Sequence, residues 1–164
     1  MRSRVILGAS ALASVAAFAA CGSNSAVVVD STPTVTYVAQ LSGANEKPNA
    51  NASTASGTAT YTLKGNSLSY VVTVSGLTTP ATQSHLHVGS AAASGPVVVG
   101  YVTGSVQSGN VTAGTIDLSA TIANGTSSIT GDSLKILLNN GNAYTNVHTS
   151  TYPGGEIRGQ IVKQ

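Results

Sequence analysis

The sequence predicts an all-β fold, a sandwich or barrel of about seven to nine short strands with one short helix. Three observations carry this. The apolar residues are mainly Val, Ile, Leu, Ala and Tyr, types that suit a pleated surface. They alternate with Ser and Thr over short runs, as half-buried strands do. Segments rich in Gly, Pro and Asn punctuate those runs.

In order, Val35, Tyr37, Ala39 and Leu41 alternate with polar or smaller neighbours and give a first strand. Gly43 to Gly57 is polar and small with Pro48 inside it, and reads as a long loop. Ala59, Tyr61 and Leu63, then Leu68, Tyr70, Val72 and Val74, alternate on either side of Lys64-Gly65-Asn66-Ser67, which predicts a hairpin. After Gly76 and Pro80 comes a strand around His85. The nearly continuous apolar run Val97 to Val102 is expected to be buried on both faces. Ile116, Leu118, Ala120 and Ile122 predict one further strand. Ser133 to Asn139 is the helix, with Asp132 as its cap, Leu134, Leu137 and Leu138 on one face, and Gly141 at its end. Strands at Ala143 to Thr149 and Ile157 to Val162 close the domain.

The N-terminus reads as a processing signal. Arg2 and Arg4 precede an uncharged run from Val5 to Ala20, shorter than the roughly 20 apolar residues of a membrane span. Phe18-Ala19-Ala20-Cys21 is similar to a bacterial lipobox, with Phe18 where Leu, Val or Ile is usual. Residues 1–20 are thus expected to be a lipoprotein-type signal peptide, Cys21 the lipidated residue, 21–33 a tether and 34–164 the domain. With one cysteine no disulfide can form within the chain. Loss of Arg2 and Arg4 leaves acidic and basic side chains in equal number, with no basic cluster, which excludes a nucleic-acid footprint. The expected location is the cell envelope, lipid-anchored and extracytoplasmic (the outer membrane of a diderm cell), or secretion if Cys21 is not lipidated. The partners expected are the membrane, through the N-terminal lipid, and a protein or other envelope component.

All three histidines lie in two short stretches, Ser84-His85-Leu86-His87-Val88-Gly89 and Asn146-Val147-His148-Thr149. Residues two apart on a strand share a face, so His85 and His87 stand about 6.5 Å apart along it while Leu86 and Val88 turn inward. Val147 faces inward likewise, and Asn146 and His148 outward together. If the two strands are neighbours, three imidazoles converge, a donor set suited to copper or zinc. The bland alternative is that each ring pins a glycine turn by donating N–H to a loop carbonyl. The criterion between them is distance: nitrogens unable to approach within about 4 Å of one another exclude a mononuclear site. Glu156 is the nearest candidate carboxylate. It is also two residues from Arg158, and the pair reads as a structural ion pair against Asn146 or His148, with a substrate-binding arginine as the sharper reading. Glu46 is expected to be solvated or to cap its loop. No nucleophile elbow, HExxH helix, P-loop or dinucleotide fingerprint is present, so no catalytic residue is assigned and the chain is read as a non-enzyme.

Four ordered segments together resemble a CHRD domain, the module named after chordin and widespread in bacterial secreted proteins. They are Leu41-Ser42-Gly43-Ala44-Asn45-Glu46-Lys47-Pro48, then Ala55-Ser56-Gly57-Thr58-Ala59, then His85-Leu86-His87-Val88-Gly89 with Gly95-Pro96-Val97-Val98. The last is Tyr144-Thr145-Asn146-Val147-His148-Thr149 with Pro153-Gly154-Gly155-Glu156-Ile157-Arg158-Gly159-Gln160. Lys47, Asn49 and Thr145 depart from the family's usual residues and touch no histidine. The resemblance covers roughly residues 35 to 163. It implies an immunoglobulin-like or Greek-key β-sandwich in an extracytoplasmic protein, and little chemistry. The HxH strand is also weakly similar to that of copper–zinc superoxide dismutases, whose bimetal site needs more histidines than this chain has. The resulting expectation is a non-catalytic envelope-interaction module with sheet edges open to pairing. A copper or zinc protein using His85, His87 and His148, with metal-dependent oxidoreductase chemistry as one extension, is the alternative.

Overall fold

The structure, a computed structural model, describes residues 31–101, 103–125 and 127–164. The signal peptide, Cys21 and most of the expected tether lie outside the described residues. Among the described residues no helix is long and apolar enough to cross a membrane.

Among the described residues, eleven strands and one α-helix form an all-β sandwich built from one nearly closed sheet. β1 (Thr34–Ser42) leads through a 3-10 turn and a long loop to β2 (Ser56–Lys64) and β3 (Ser67–Ser75). β2 and β3 pair in full register from Ser56↔Ser75 to Lys64↔Ser67, the hairpin that the sequence predicts. Then come β4 (Ala81–Val88), β5 (Val97–Tyr101), β6 (Gly109–Asp117), β7 (Thr121–Asn124), β8 (Ser127–Thr130), α1 (Gly131–Asn139), β9 (Ala143–Thr149), β10 (Ile157–Gln160) and β11 (Val162–Lys163). The antiparallel sheet runs β5-β4-β9-β10-β1-β2-β3-β6, with β11 also on β1, and β7-β8 form a separate hairpin. The first and last long segments of the domain are therefore neighbours. The sheet curls toward closure where the backbone N–H groups of Leu77 and Ala81 donate to the carbonyls of Gln107 and Val106, both at 2.9 Å.

The inner face carries the predicted alternation: Tyr37, Ala39 and Leu41; Ala59, Tyr61 and Leu63; Leu68, Val72 and Val74; then Leu86, Val147 and Ile157. Tyr61 brings a hydroxyl into this core, and it is satisfied there by Tyr101 at 2.7 Å and by Thr145. A buried tyrosine needs such a partner, because an unpaired polar group in the core costs more than the bond returns.

Four local expectations are corrected. The described part of the expected run, Val97–Tyr101, is not a doubly buried strand: β5 is a sheet edge with Val97 and Val99 half-exposed, partly covered by the β7–β8 hairpin. The strand expected through Ile116 to Ile122 breaks at Asp117, whose Oδ1 accepts the Ser119 N–H at 2.8 Å and turns the chain. The helix is capped by Thr130, whose Oγ1 accepts from Ser133 N–H at 3.2 Å; Asp132 sits in the first turn and pairs with Lys135 instead. The last expected strand divides into β10 and β11, because Ile161 leaves β1 to donate to the Ala143 carbonyl.

Gly159 in β10 is enforced by close approach: a Cβ there would collide with the Gln40 carbonyl on β1. Gly159→Ala is expected to lower unfolding free energy by about 3 kcal/mol, since backbone cannot relax as a side chain can. Urea denaturation measures it, and a loss below about 1 kcal/mol would show that β10 and β1 are more loosely opposed than described.

Candidate functional site

β4 and β9 are adjacent and antiparallel, with His85 opposite Asn146 and His87 opposite Tyr144. His85, His87, Asn146, His148 and Tyr144 therefore share the sheet's outer face, while Leu86 and Val147 enter the core. That face is not open to water, contrary to what its outward direction implies. All seven residues of β9 are buried, and only His85 of the three histidines is half-exposed. The loop after β4 and the loop after β9 fold over it.

The histidines hold those loops down. His87 Nδ1 donates to the Gly95 carbonyl at 2.9 Å, and His148 Nδ1 donates to the Pro153 carbonyl at 2.9 Å. A carbonyl can only accept, so both rings carry their proton on Nδ1 and present a bare Nε2. Those bare nitrogens point back into the cluster. His148 Nε2 lies 3.0 Å from His85 Nδ1, and one ligand nitrogen from each of the three rings lies within 4.8 Å of the others. The closest pair meets the distance criterion, and the widest exceeds about 4 Å by less than 1 Å. Among the described residues no loop carbonyl anchors His85, which leaves it the freest of the three rings.

Two acceptors here have no donor. His87 Nε2 and Asn146 Oδ1 are buried without hydrogen-bond partners, and the Asn146 side chain sits against both His85 and His87. Buried acceptors that lack a donor are groups a cation can satisfy. Burial holds the rings neutral. It pushes His85 down to about 4, assisted by repulsion from His148 and His87, and it lowers His87 and His148 as well. Neutral imidazole is the form that ligates metal.

Glu156 and Arg158 do not form the expected ion pair. Glu156 precedes β10, is 0 % exposed, and among the described residues no cation is its partner. Its Oε1 accepts from Ser53 Oγ at 2.8 Å and from Thr78 N–H at 2.9 Å; its Oε2 accepts from the hydroxyls of Thr78 at 2.9 Å and Thr149 at 2.7 Å. With both oxygens so engaged, Glu156 is not a ligand of the cluster. Arg158 points elsewhere. Its Nη2 donates to the carbonyls of Ser90 and Ala93, each at 2.9 Å, and its guanidinium lies 3.5 Å over the Tyr144 ring. Tyr144 in turn stacks on His87, centroids 4.5 Å apart. Alternation could have identified Tyr144, two residues before Asn146 on the same face. Glu46 is likewise missed as a buried group: it is 3 % exposed, and burial pushes its carboxyl up to about 7 against the pull of Arg158 and the Lys47 N–H. A Cβ at Gly155, where φ is +127°, would stand 2.5 Å from Glu46 Oε1, so glycine serves both conformation and space.

The Glu156 cradle fixes a pH dependence. Burial works against the charged form, but the donors from Thr149, Thr78 and Ser53 outweigh it and hold the carboxyl below its ordinary value. Its stabilising contribution is thus present above the unfolded-state value near 4.5 and is lost as pH falls through the lower folded-state value. Glu156→Gln is expected to cost about 2 kcal/mol or more at neutral pH, and to flatten the acid side of the stability curve. Chemical denaturation of both proteins from neutral pH to below 4 reads this out, and an unchanged acid limb would assign the limb to other groups.

A family model for the CHRD domain matches residues 37–161. Neither the curated proteins nor the solved structures contain a significant match. Since the matched stretch contains the Glu46 segment, both histidine segments and the Glu156–Gln160 segment, the chain belongs to the CHRD domain family.

Proposed function

We propose that this chain is a lipid-anchored, extracytoplasmic CHRD module of the cell envelope that binds one copper or zinc ion through His85, His87 and His148, with Asn146 Oδ1 completing the set. The observation that carries the metal reading is the pair of Nδ1 pins. Each fixes a tautomer and leaves Nε2 directed into the cluster, the outer-sphere arrangement that metal-ligating histidines use.

Three imidazoles and an amide oxygen, with no thiolate, suit Cu(II) or Zn(II) rather than Cu(I). Four protein donors leave no open position, which favours binding over catalysis and agrees with the lack of any catalytic motif. The ion would displace the hydrogen bond in which His85 Nδ1–H donates to His148 Nε2. Because His85 is neutral, it can move its proton to Nε2, so binding near neutral pH needs no net proton release from the rings. The envelope location rests on the sequence: Arg2 and Arg4, the uncharged run, and Cys21 at the lipobox position.

Purified protein is expected to take up one equivalent of Cu(II) or Zn(II), measured by elemental analysis after gel filtration. His85→Ala, His87→Ala and His148→Ala should each lower affinity by at least about 100-fold, while Asn146→Ala should cost about tenfold or less. Circular dichroism of the variants separates ligand loss from unfolding. Native protein that retains no stoichiometric metal would sink the metal reading. For the anchor, Cys21→Ser is expected to move the protein from the membrane fraction to the soluble extracytoplasmic fraction. Persistence in the membrane fraction would rule out Cys21 as the attachment point.

A further inference from the structure

On the other side of the Tyr144 ring from His87 lies a second, differently equipped cavity. Arg158 is 2 % exposed, yet among the described residues no carboxylate lies within ion-pair distance of it. Glu46 attracts it only from beyond ion-pair distance, and taking a guanidinium out of water without a close counter-charge costs several kcal/mol, so its position needs a reason. The two carbonyls of Ser90 and Ala93 occupy Nη2 alone. Among the described residues Nε and Nη1 donate to no acceptor, and neither is sealed from the surface.

The side chain borders a pocket of about 120 Å³ lined also by Asn45, Lys47, Ala91 and Gln160. Two cations and two amides thus meet around a space well below the roughly 300–1,000 Å³ of pockets that enclose drug-sized ligands. Gln160 is committed to the fold, since its Nε2 donates to the carbonyls of Gly89 at 2.8 Å and Gly141 at 2.7 Å. The donors left for a ligand are Arg158, Lys47 and the second N–H of Asn45, whose Nδ2 also donates to the Gln40 carbonyl at 3.4 Å. The nearest acid, Glu46, borders a separate groove with Tyr152 and Gly155 and does not line this pocket.

We propose that this pocket binds an oxyanion, a carboxylate or phosphate group, through the unclaimed N–H edge of Arg158 with Lys47 as second charge and Asn45 as neutral donor. The planar guanidinium fork matches both groups, and its stacking on Tyr144 fixes the plane in which it can be met. The pocket admits a small ion or the end group of a longer molecule. The inference is independent of the metal reading, because none of its donors is a ligand of the histidine cluster.

The test is calorimetric titration of the full-length protein, treated with chelator, using sodium phosphate and sodium acetate in separate arms at constant ionic strength set by chloride. Saturable one-to-one binding is expected in at least one arm. Phosphate alone assigns a phosphoryl ligand, and acetate alone or better assigns a carboxylate. Arg158→Lys is expected to weaken binding about tenfold by removing the fork. Lys47→Ala, which removes no side-chain hydrogen bond or ion pair among the described residues, is expected to weaken it by about the same factor, so the test survives a poorly folding Arg158 variant. No saturable heat in either arm up to roughly 50 mM overturns the proposal. Saturable binding that Lys47→Ala leaves unchanged overturns it as well.

Discussion

The constraint that organises this domain is that β9 is buried on both faces. Its inner residues meet the core, which is ordinary for a central strand. Its outer residues, Tyr144, Asn146 and His148, are polar and lie under loops rather than in water. Every hydrogen-bonding group there must then be satisfied by protein or left at a cost of about 1–3 kcal/mol. The loop after β4 is held by His87 and Tyr144 at Gly95 and by Arg158 at Ser90 and Ala93. The loop after β9 is held by His148 at Pro153. The family's segments come together here because they are the strand, the cover and the fastenings between them.

Glu156 extends the same logic to loops distant in sequence. Its carboxylate gathers Ser53 from the loop before β2, Thr78 from the β3–β4 connection and Thr149 from the end of β9. Asn51 reinforces the join by donating to the carbonyls of Gly155 and Glu156, at 3.2 and 3.0 Å. A charge with four donors and no cation beside it is well served, because charge-assisted hydrogen bonds are about twice as strong as neutral ones. The arginine two residues later is thereby freed from its obvious partner. That separation lets one short segment close the fold with its acid and present a cation elsewhere.

Much of the sheet was legible in the sequence, and the reasons for success and failure are physical. Period-two alternation depends only on the local pleat, so Leu86 and Val147 inward and His85, His87 and His148 on one face were readable without tertiary knowledge. The β2–β3 hairpin was readable because turn and alternation agree. Alternation gives a direction and not an environment, so it could not show that the outer face of β9 is covered. Glu46 and Glu156 were misread for the same reason: their partners come from loops, whose paths leave no periodic trace. The Thr130 cap was missed because Thr and Asp both cap well, and only geometry distinguishes them.

The choice between histidines as pins and histidines as ligands dissolves once the two ring nitrogens are considered separately. For His87 and His148 the pin uses Nδ1, and the use of Nδ1 fixes Nε2 as an acceptor. The loops thus set the ring orientation, and the ring orientation prepares the cluster. His85 alone lacks such an anchor and is the most exposed of the three, so it is the ligand free to move between its hydrogen bond to His148 and a bound ion. On the far side of His87, Tyr144 and Arg158 complete a stack that keeps a fixed positive charge one ring away from the cluster. A nearby cation disfavours both a proton and a metal ion on His87, so whatever occupies the cluster must be held by donor geometry against an opposing field. Three converging nitrogens and one amide oxygen provide that geometry, and isolated histidines on an open sheet would not.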